Sequence, residues 1–425
     1  MKAILKLALV FLIFASGCAR KSAELVFSVG GAPNELDFWE TIAADFRKDT
    51  GINVRILRQP TDSDQRRQGI LIPLKAGKND PDVFLMDIAW IPQFAASGWL
   101  QDLDAVEGGP MDTAPFWKNI IDRSDKQDGK LVALPVYVDA GLLYYRKDLL
   151  KKYGASKPPA TWEELIDISV KTQAGMRDSD PGFYAFVWQG AQYEGLVCDF
   201  LEFAGTKGGI RTEGGRIVVA TPENAKALAL MRDLVNKHKI SPPNTYTEMK
   251  EEEVRLFFQK GNALFERNWP YAWGLHQAEG SPVKDKTGIC PLPGFAGAGS
   301  VSTLGGWHIG MSKYSDVQKN AALFIKYVLS KKVQKELSIN LGWNPARRDV
   351  YSDPDVLKVH PHFTQLRKIF DNAVPRPGLP YYTQVSEALQ RHLNAAISGS
   401  EEPSAALEAA QKEIDAVAAR YGGAK

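Results

Sequence analysis

The chain has 425 residues, enough for more than one domain and for a sizeable buried core. With 44% hydrophobic and 24% charged residues it has the composition of a folded globular protein, which excludes a disordered chain. A formal net charge of +2 leaves no electrostatic footprint for nucleic acid, so no nucleic-acid partner is expected.

The first predicted element is not part of the fold. Lys2 and Lys6 precede an apolar run, Leu7 to Ala15, too short to span a bilayer as a mature helix. Small residues follow in Ala15-Ser-Gly-Cys18, the pattern of an export signal. The cysteine directly after Ser16-Gly17 resembles the lipobox of bacterial lipoproteins, in which it is lipidated and becomes the mature N-terminus. A plain signal peptide cut near Gly17 is the simpler alternative. Beyond Cys18 only Cys198 and Cys290 remain. Both lie in apolar stretches, which points to two buried, unpaired thiols rather than a bridge.

Short apolar runs then alternate with amphipathic segments. Leu25–Val29 predicts a strand, Glu35–Lys48 a helix, Ile52–Leu57 a strand, Ser63–Lys75 a helix and Val83–Met86 a third strand. Such alternation argues for a doubly wound α/β sheet with a largely parallel core. Helices follow: Thr161-Trp-Glu-Glu164 is a capping box, and Thr221-Pro222 pairs an N-cap with proline at the first helical position. Met249–Gln259 has a charged first turn. Strand signals return at Ala263–Glu266 and Thr303–Met311, and the chain from Pro380 onward is helical. There is no internal repeat and no flexible linker. Two lobes would have to be joined by short structured crossings, for which Ala133–Gly141, Pro291–Ser300 and Leu341–Asp349 are candidates. Three such crossings make a hinge suited to opening and closing.

Enzyme signatures are missing: no nucleophile elbow, phosphate loop, zinc-protease helix or Cys/His cluster occurs. His360 and His362 flank Pro361 and fit a surface turn better than a metal site. Asp178-Ser-Asp180 starts like a calcium loop, but the glycine comes one place early and no closing Glu follows. Neither a metal nor a cofactor is expected.

Carboxylates and aromatic rings carry more information. Glu35 follows the Gly30-Gly31 turn, Asp87 ends an apolar strand, and Asp139 lies beside Tyr137 in a candidate crossing. All three would face an interlobe crevice. A carboxylate pair there suits glycoside hydrolysis, and equally suits accepting hydrogen bonds from sugar hydroxyls. In Glu266–His276 (ERNWPYAWGLH), Trp269, Tyr271 and Trp273 crowd around Pro270 where a strand hands over to a helix. With Asn268 as N-cap and Pro270 opening the helix, Trp269 and Trp273 would share one face as core. That position is also where open α/β sheets place ligands. A pyranose presents a C–H face for an aromatic ring and a rim of hydroxyls that need partners.

Six segments together resemble a known family: Gly30–Glu35, Pro81–Asp87, Leu134–Leu150, Phe265–His276, Thr303–Gly310 and Asn372–Pro377. They are similar to the sugar-binding lipoproteins of ABC importers, and most of all to the trehalose/maltose-binding group. The resemblance covers essentially all of the mature chain, which is shorter around Gly205–Arg216. It implies an α/β, two-lobed periplasmic-binding-protein fold of class II type, two doubly wound lobes joined by three hinge crossings. It also implies a non-enzymatic monomer that holds a disaccharide, trehalose or maltose, in the cleft. Permease subunits would be its partners, and a lipid on Cys18 would hold it to the cell membrane, facing the periplasm or exterior. Residue by residue, the resemblance assigns ligand contact to Glu35, Arg67, Asp87, Tyr137, Asp139, Trp269, Tyr271, Gly306, Trp307 and Arg376. Arg66 stands beside Arg67 in the same segment. Trp273 is left as the helix anchor. The expected division is a signal peptide over 1–17, a lipidated linker over 18–24, a first lobe from 25–138 and 298–345, and a second from 139–297 and 346–425. The alternatives are a glycoside hydrolase using cleft carboxylates, or a binder of another solute such as sucrose, a peptide or an amino sugar.

Overall fold

The computed structural model describes residues 24–370 and 372–422, so the expected signal segment and Cys18 lie outside the described residues. Leu25–Gly30 is a strand buried along its whole length, as an apolar run between two covering layers must be. It pairs in parallel with Val54–Gln59 and with Val83–Asp87. The helix between the first two strands runs Pro33–Thr50. It opens with proline, which needs no donor there, and ends on Gly51 at a φ of 75°, a left-handed stop. The next helix, Ser63–Lys75, is capped by Asp62, whose side chain accepts from the Gln65 amide at 2.9 Å.

The long strand Ser302–Met311 completes this first sheet. It lies antiparallel to Val83–Asp87 and to Leu134–Ala140, and parallel to the short strand Ala373–Pro375. The largely parallel core expected from the sequence therefore holds for the first three strands, and the sheet as a whole is mixed. A second sheet is built on Leu142–Arg146, antiparallel to Phe265–Asn268 and Thr287–Cys290, with Phe186–Val187 parallel at the far edge. Its side chains alternate between two cores. Leu143 packs with Trp162, Phe186 and Phe203, while Leu142 and Tyr144 pack with Phe258 and Phe363. A separate core surrounds the first sheet.

One residue, Gly141, separates Leu134–Ala140 in the first sheet from Leu142–Arg146 in the second. The chain returns between Cys290 and Ser302. It leaves again after Leu341, since Trp343 and Ala346 belong to the first core and Val350 and Tyr351 to the second lobe's. Ala373–Pro375 then touches the first sheet before the helices Tyr382–Ser398 and Pro403–Arg420 finish the second lobe. The joint is therefore made of short segments lying side by side, not of a single linker. Among the described residues no helix is long and apolar enough to cross a membrane.

Several local expectations change. The aromatic segment does not start a helix at Pro270. Asn268 ends the strand and its Oδ1 accepts the Trp269 amide at 2.8 Å, and the helix runs only Ala272–His276. His360 and His362 are buried rather than in a surface turn; His360 stacks on Phe363 and His362 lies 4.3 Å from the Trp273 ring. Burial holds His362 at about 3, so it stays neutral. No group of metal-ligating residues occurs among the described residues. Cys198 is buried, Cys290 is half-buried, and both are free.

Candidate ligand-binding cleft

A cavity lies between the two sheets, with about 770 Å³ of empty space that includes open solvent. Strand ends and helix starts line it, where unpaired backbone donors concentrate. The first lobe contributes Glu35, Arg66, Asp87, Tyr137, Asp139, Gly305, Gly306, Trp307 and Trp343; the second contributes Glu194, Cys198, Glu251, Glu252, Trp269, Tyr271 and Arg376.

Each polar group has a defined partner set. Glu35 turns back on its own helix, accepting from the Ala32 amide at 2.7 Å and from Trp343 Nε1 at 2.7 Å. Burial raises its pKa against those two donors. Asp87 accepts from the Ala89 amide at 2.8 Å and pairs with Arg376 at 2.8 Å. Arg376 also donates to Glu194 at 2.9 Å, so one guanidinium joins a first-sheet strand end to a second-lobe helix start. Glu194 further accepts from Tyr382 at 2.8 Å and from the Ser386 hydroxyl. The Asp139 side chain differs from all of these, with no hydrogen bond to protein among the described residues, its backbone alone being paired in the sheet. Burial, reinforced by Glu35 and Asp87, pushes its carboxyl up to about 8.

Two tryptophans form the apolar surfaces. The Arg267 guanidinium lies 4.1 Å from the Trp269 ring centroid, and Arg66 lies 4.2 Å from that of Trp307. An arginine backs one face of each ring. The Trp269 edge comes so near Gly305 that a Cβ there would stand 3.2 Å from Cζ3. Gly306 has a φ of 140°, and a Cβ on it would meet the Tyr137 carbonyl at 2.8 Å, so only glycine suits this turn of the strand.

Of the ten residues assigned from sequence, nine line the cavity: Glu35, Asp87, Tyr137, Asp139, Trp269, Tyr271, Gly306, Trp307 and Arg376. Arg67 does not. Its neighbour Arg66 faces the cleft, while Arg67 points along the rim and pairs with Glu387 of the second lobe at 3.1 Å. One helical step, about 100°, separates the two directions. Sequence reasoning missed Arg66, Glu194, Glu251, Glu252 and Trp343. Glu251 and Glu252 are visible in the sequence only as an acidic helix start, and Trp343 lies in a stretch already marked as a crossing. Glu194 gives no signal beyond being the one acid that opens an apolar helix.

The rim is bridged as well as the floor. Lys250 of the second lobe pairs with Asp62, and Thr383 donates to Gln93 at 2.9 Å. With Arg67–Glu387 these contacts describe a cleft in its closed arrangement.

Residues 32–335 match the model of the bacterial extracellular solute-binding proteins. A probable ABC transporter-binding protein of Deinococcus radiodurans is 36% identical over 412 residues, 96% of each chain. The chain belongs to the bacterial extracellular solute-binding protein family. The family supplies the solute-capturing components of ABC importers, and the fold is the periplasmic-binding-protein type of the maltose-binding class. Maltose-bound T. maritima MalE3 superposes with a TM-score of 0.87 at 39% identity, covering 93% of this chain and 99% of that one. A solute-binding protein of Thermotoga lettingae with α-D-tagatose bound gives 0.82 at 26% identity, covering 93% and 99%.

Proposed function

We propose that this solute-binding protein captures a disaccharide, trehalose or maltose, in the cleft and delivers it to the permease subunits of an ABC importer. The observation that carries this reading is the pairing of the two arginine-backed tryptophans with a ring of carboxylates. Each ring offers a face to a pyranose, and the carboxylates accept from its hydroxyls. The maltose carried by a neighbour at 39% identity supports the same class of ligand. A disaccharide has about 23 heavy atoms, and roughly 0.3 kcal/mol per atom gives an affinity in the micromolar range.

An amino sugar is the second reading. Among the lining residues six carboxylates, Glu35, Asp87, Asp139, Glu194, Glu251 and Glu252, face two guanidiniums, Arg66 and Arg376. A calorimetric panel of trehalose, maltose, sucrose and an amino sugar separates these ligands. Micromolar binding of trehalose or maltose is the expected result, and binding of the amino sugar alone would replace it. Product analysis of the same mixtures detects a glycoside hydrolase, since turnover would make the protein an enzyme. We further propose that Cys18 carries the lipid anchor. One acyl chain holds a protein only marginally, so a diacylglyceryl group is the expected form. Metabolic labelling with a fatty acid should mark the wild type and not Cys18→Ser.

A further inference from the structure

Beneath Trp269 lies a buried polar cluster that does not line the cavity. Arg267 is fully buried and donates through Nε and Nη2 to the two oxygens of Glu202, both at 2.6 Å. It also pairs with Asp199 at 2.9 Å and donates to Gln189 at 3.2 Å. A bidentate, doubly paired guanidinium has one orientation, and its plane supports the Trp269 ring. The opposite side of the cluster meets the hinge. A Cβ on Gly141, the single residue between the two sheets, would stand 2.0 Å from Glu202 Oε1 and 2.5 Å from Arg267 Nη2. On the second crossing the Thr303 amide donates to Glu202 Oε1 at 3.0 Å, and Ser302 Oγ donates to the Gly141 carbonyl at 2.7 Å. Both crossings therefore bear on Glu202, Glu202 fixes Arg267, and Arg267 supports the tryptophan.

We propose that Glu202 and Arg267 are positioning residues that couple the hinge to the sugar platform, setting the Trp269 ring according to the arrangement of Gly141 and Ser302–Thr303. This rests on the reading of Trp269 as a sugar platform. A twist of either crossing moves the Glu202 carboxylate, and the guanidinium follows because two of its three nitrogens, Nε and Nη2, donate there.

Glu202→Gln keeps the shape and removes the charge, while Gly141→Ala pushes a methyl into the cluster. Each is made in the wild type and in Trp269→Phe, with far-ultraviolet circular dichroism to verify folding. Two readouts are taken: calorimetric affinity for maltose and trehalose, and the ligand-free near-ultraviolet band that Trp269→Phe removes. The expected result is a loss of affinity of about tenfold or more and an altered Trp269 band for each variant. In Trp269→Phe the same changes should cost less than about twofold. Equal losses in both backgrounds, or an unaltered band in either folded variant, would overturn the coupling. The band needs no ligand, so it judges the coupling even if the wild type binds neither sugar, an outcome that would defeat the disaccharide reading instead.

Discussion

Trp269 and Asp139 show how differently two neighbours in one cleft are set up. Trp269 is held from three directions: Arg267 under its ring, Gly305 at its edge, and Tyr144 donating to its carbonyl at 2.8 Å. A rigid, partly desolvated aromatic is where binding energy concentrates, so Trp269→Ala should weaken disaccharide binding by about 2 kcal/mol or more. Calorimetry checks this, and unchanged affinity would reassign the ring to packing. Asp139 has no such support. Its carboxyl is raised to about 8 in the folded protein against an ordinary value of 3.8. Between those values the native state holds a proton that the unfolded chain has lost, so stability falls as pH rises from about 4 to about 8. Asp139→Asn cannot ionise and should be the more stable protein at pH 8, by roughly 1 kcal/mol once solvent access from the cleft is allowed for, with the difference vanishing near pH 4. Thermal denaturation of both proteins across that range tests the sign. The same substitution should weaken sugar binding.

The helix Ser63–Lys75 divides its labour between consecutive arginines. Arg66 donates to the carbonyls of Pro60 and Thr61 at 2.7 and 2.9 Å and lies on Trp307 in the cleft, whereas Arg67 reaches Glu387 at the rim. The Glu387 side chain is 48% exposed and that of Arg67 only 6%, so water screens this pair from the Glu387 side and it is worth on the order of 1 kcal/mol. Arg66→Ala should therefore lower sugar affinity by about tenfold or more, as loss of a buried arginine at a binding surface does. Arg67→Ala should lower it by no more than about fivefold and should do so less at high salt. The reverse ranking in a calorimetric comparison would return Arg67 to the binding surface.

At the scale of the molecule, the cleft is closed by groups that belong to opposite lobes: Asp62 with Lys250, Arg67 with Glu387, Gln93 with Thr383, and Asp87 and Glu194 on Arg376. A ligand that touches both lobes binds this arrangement better than an open one and must shift the population toward it. Saturating sugar should then reduce the radius of gyration in small-angle scattering. No change, with binding confirmed in the same sample, would mean a rigid pocket. The bending would fall at Gly141, between Cys290 and Ser302, and after Leu341, where the chain passes between cores with few side chains to repack.

What the sequence determined by itself was local or carried by whole segments. The buried strand Leu25–Gly30 and the capped helices after Asp62, Thr161 and Thr221 follow from period and cap chemistry, each decided within a few residues. Part of the cleft was legible from position, since Glu35, Asp87, Asp139 and the Trp269 segment stand at strand ends and crossings, while Gly306, Trp307 and Arg376 came only from the resemblance of whole segments to a known family. Only the tertiary structure decided the rest. Arg66 and Arg67 are equivalent in composition and cap chemistry, and which one faces Trp307 depends on helix phase against the neighbouring strand. His360 and His362 read as a turn until Trp273 and Phe363 close over them. The acidic start of Glu251–Gln259 looks like ordinary helix-dipole compensation. It lines the cleft because Trp269 and Tyr271 are brought against it by hydrogen bonds to Glu251 at 3.4 Å and Glu252 at 2.6 Å. These partners stand far apart along the chain or on opposite sheets, and pattern along a sequence carries no record of contacts made across a fold.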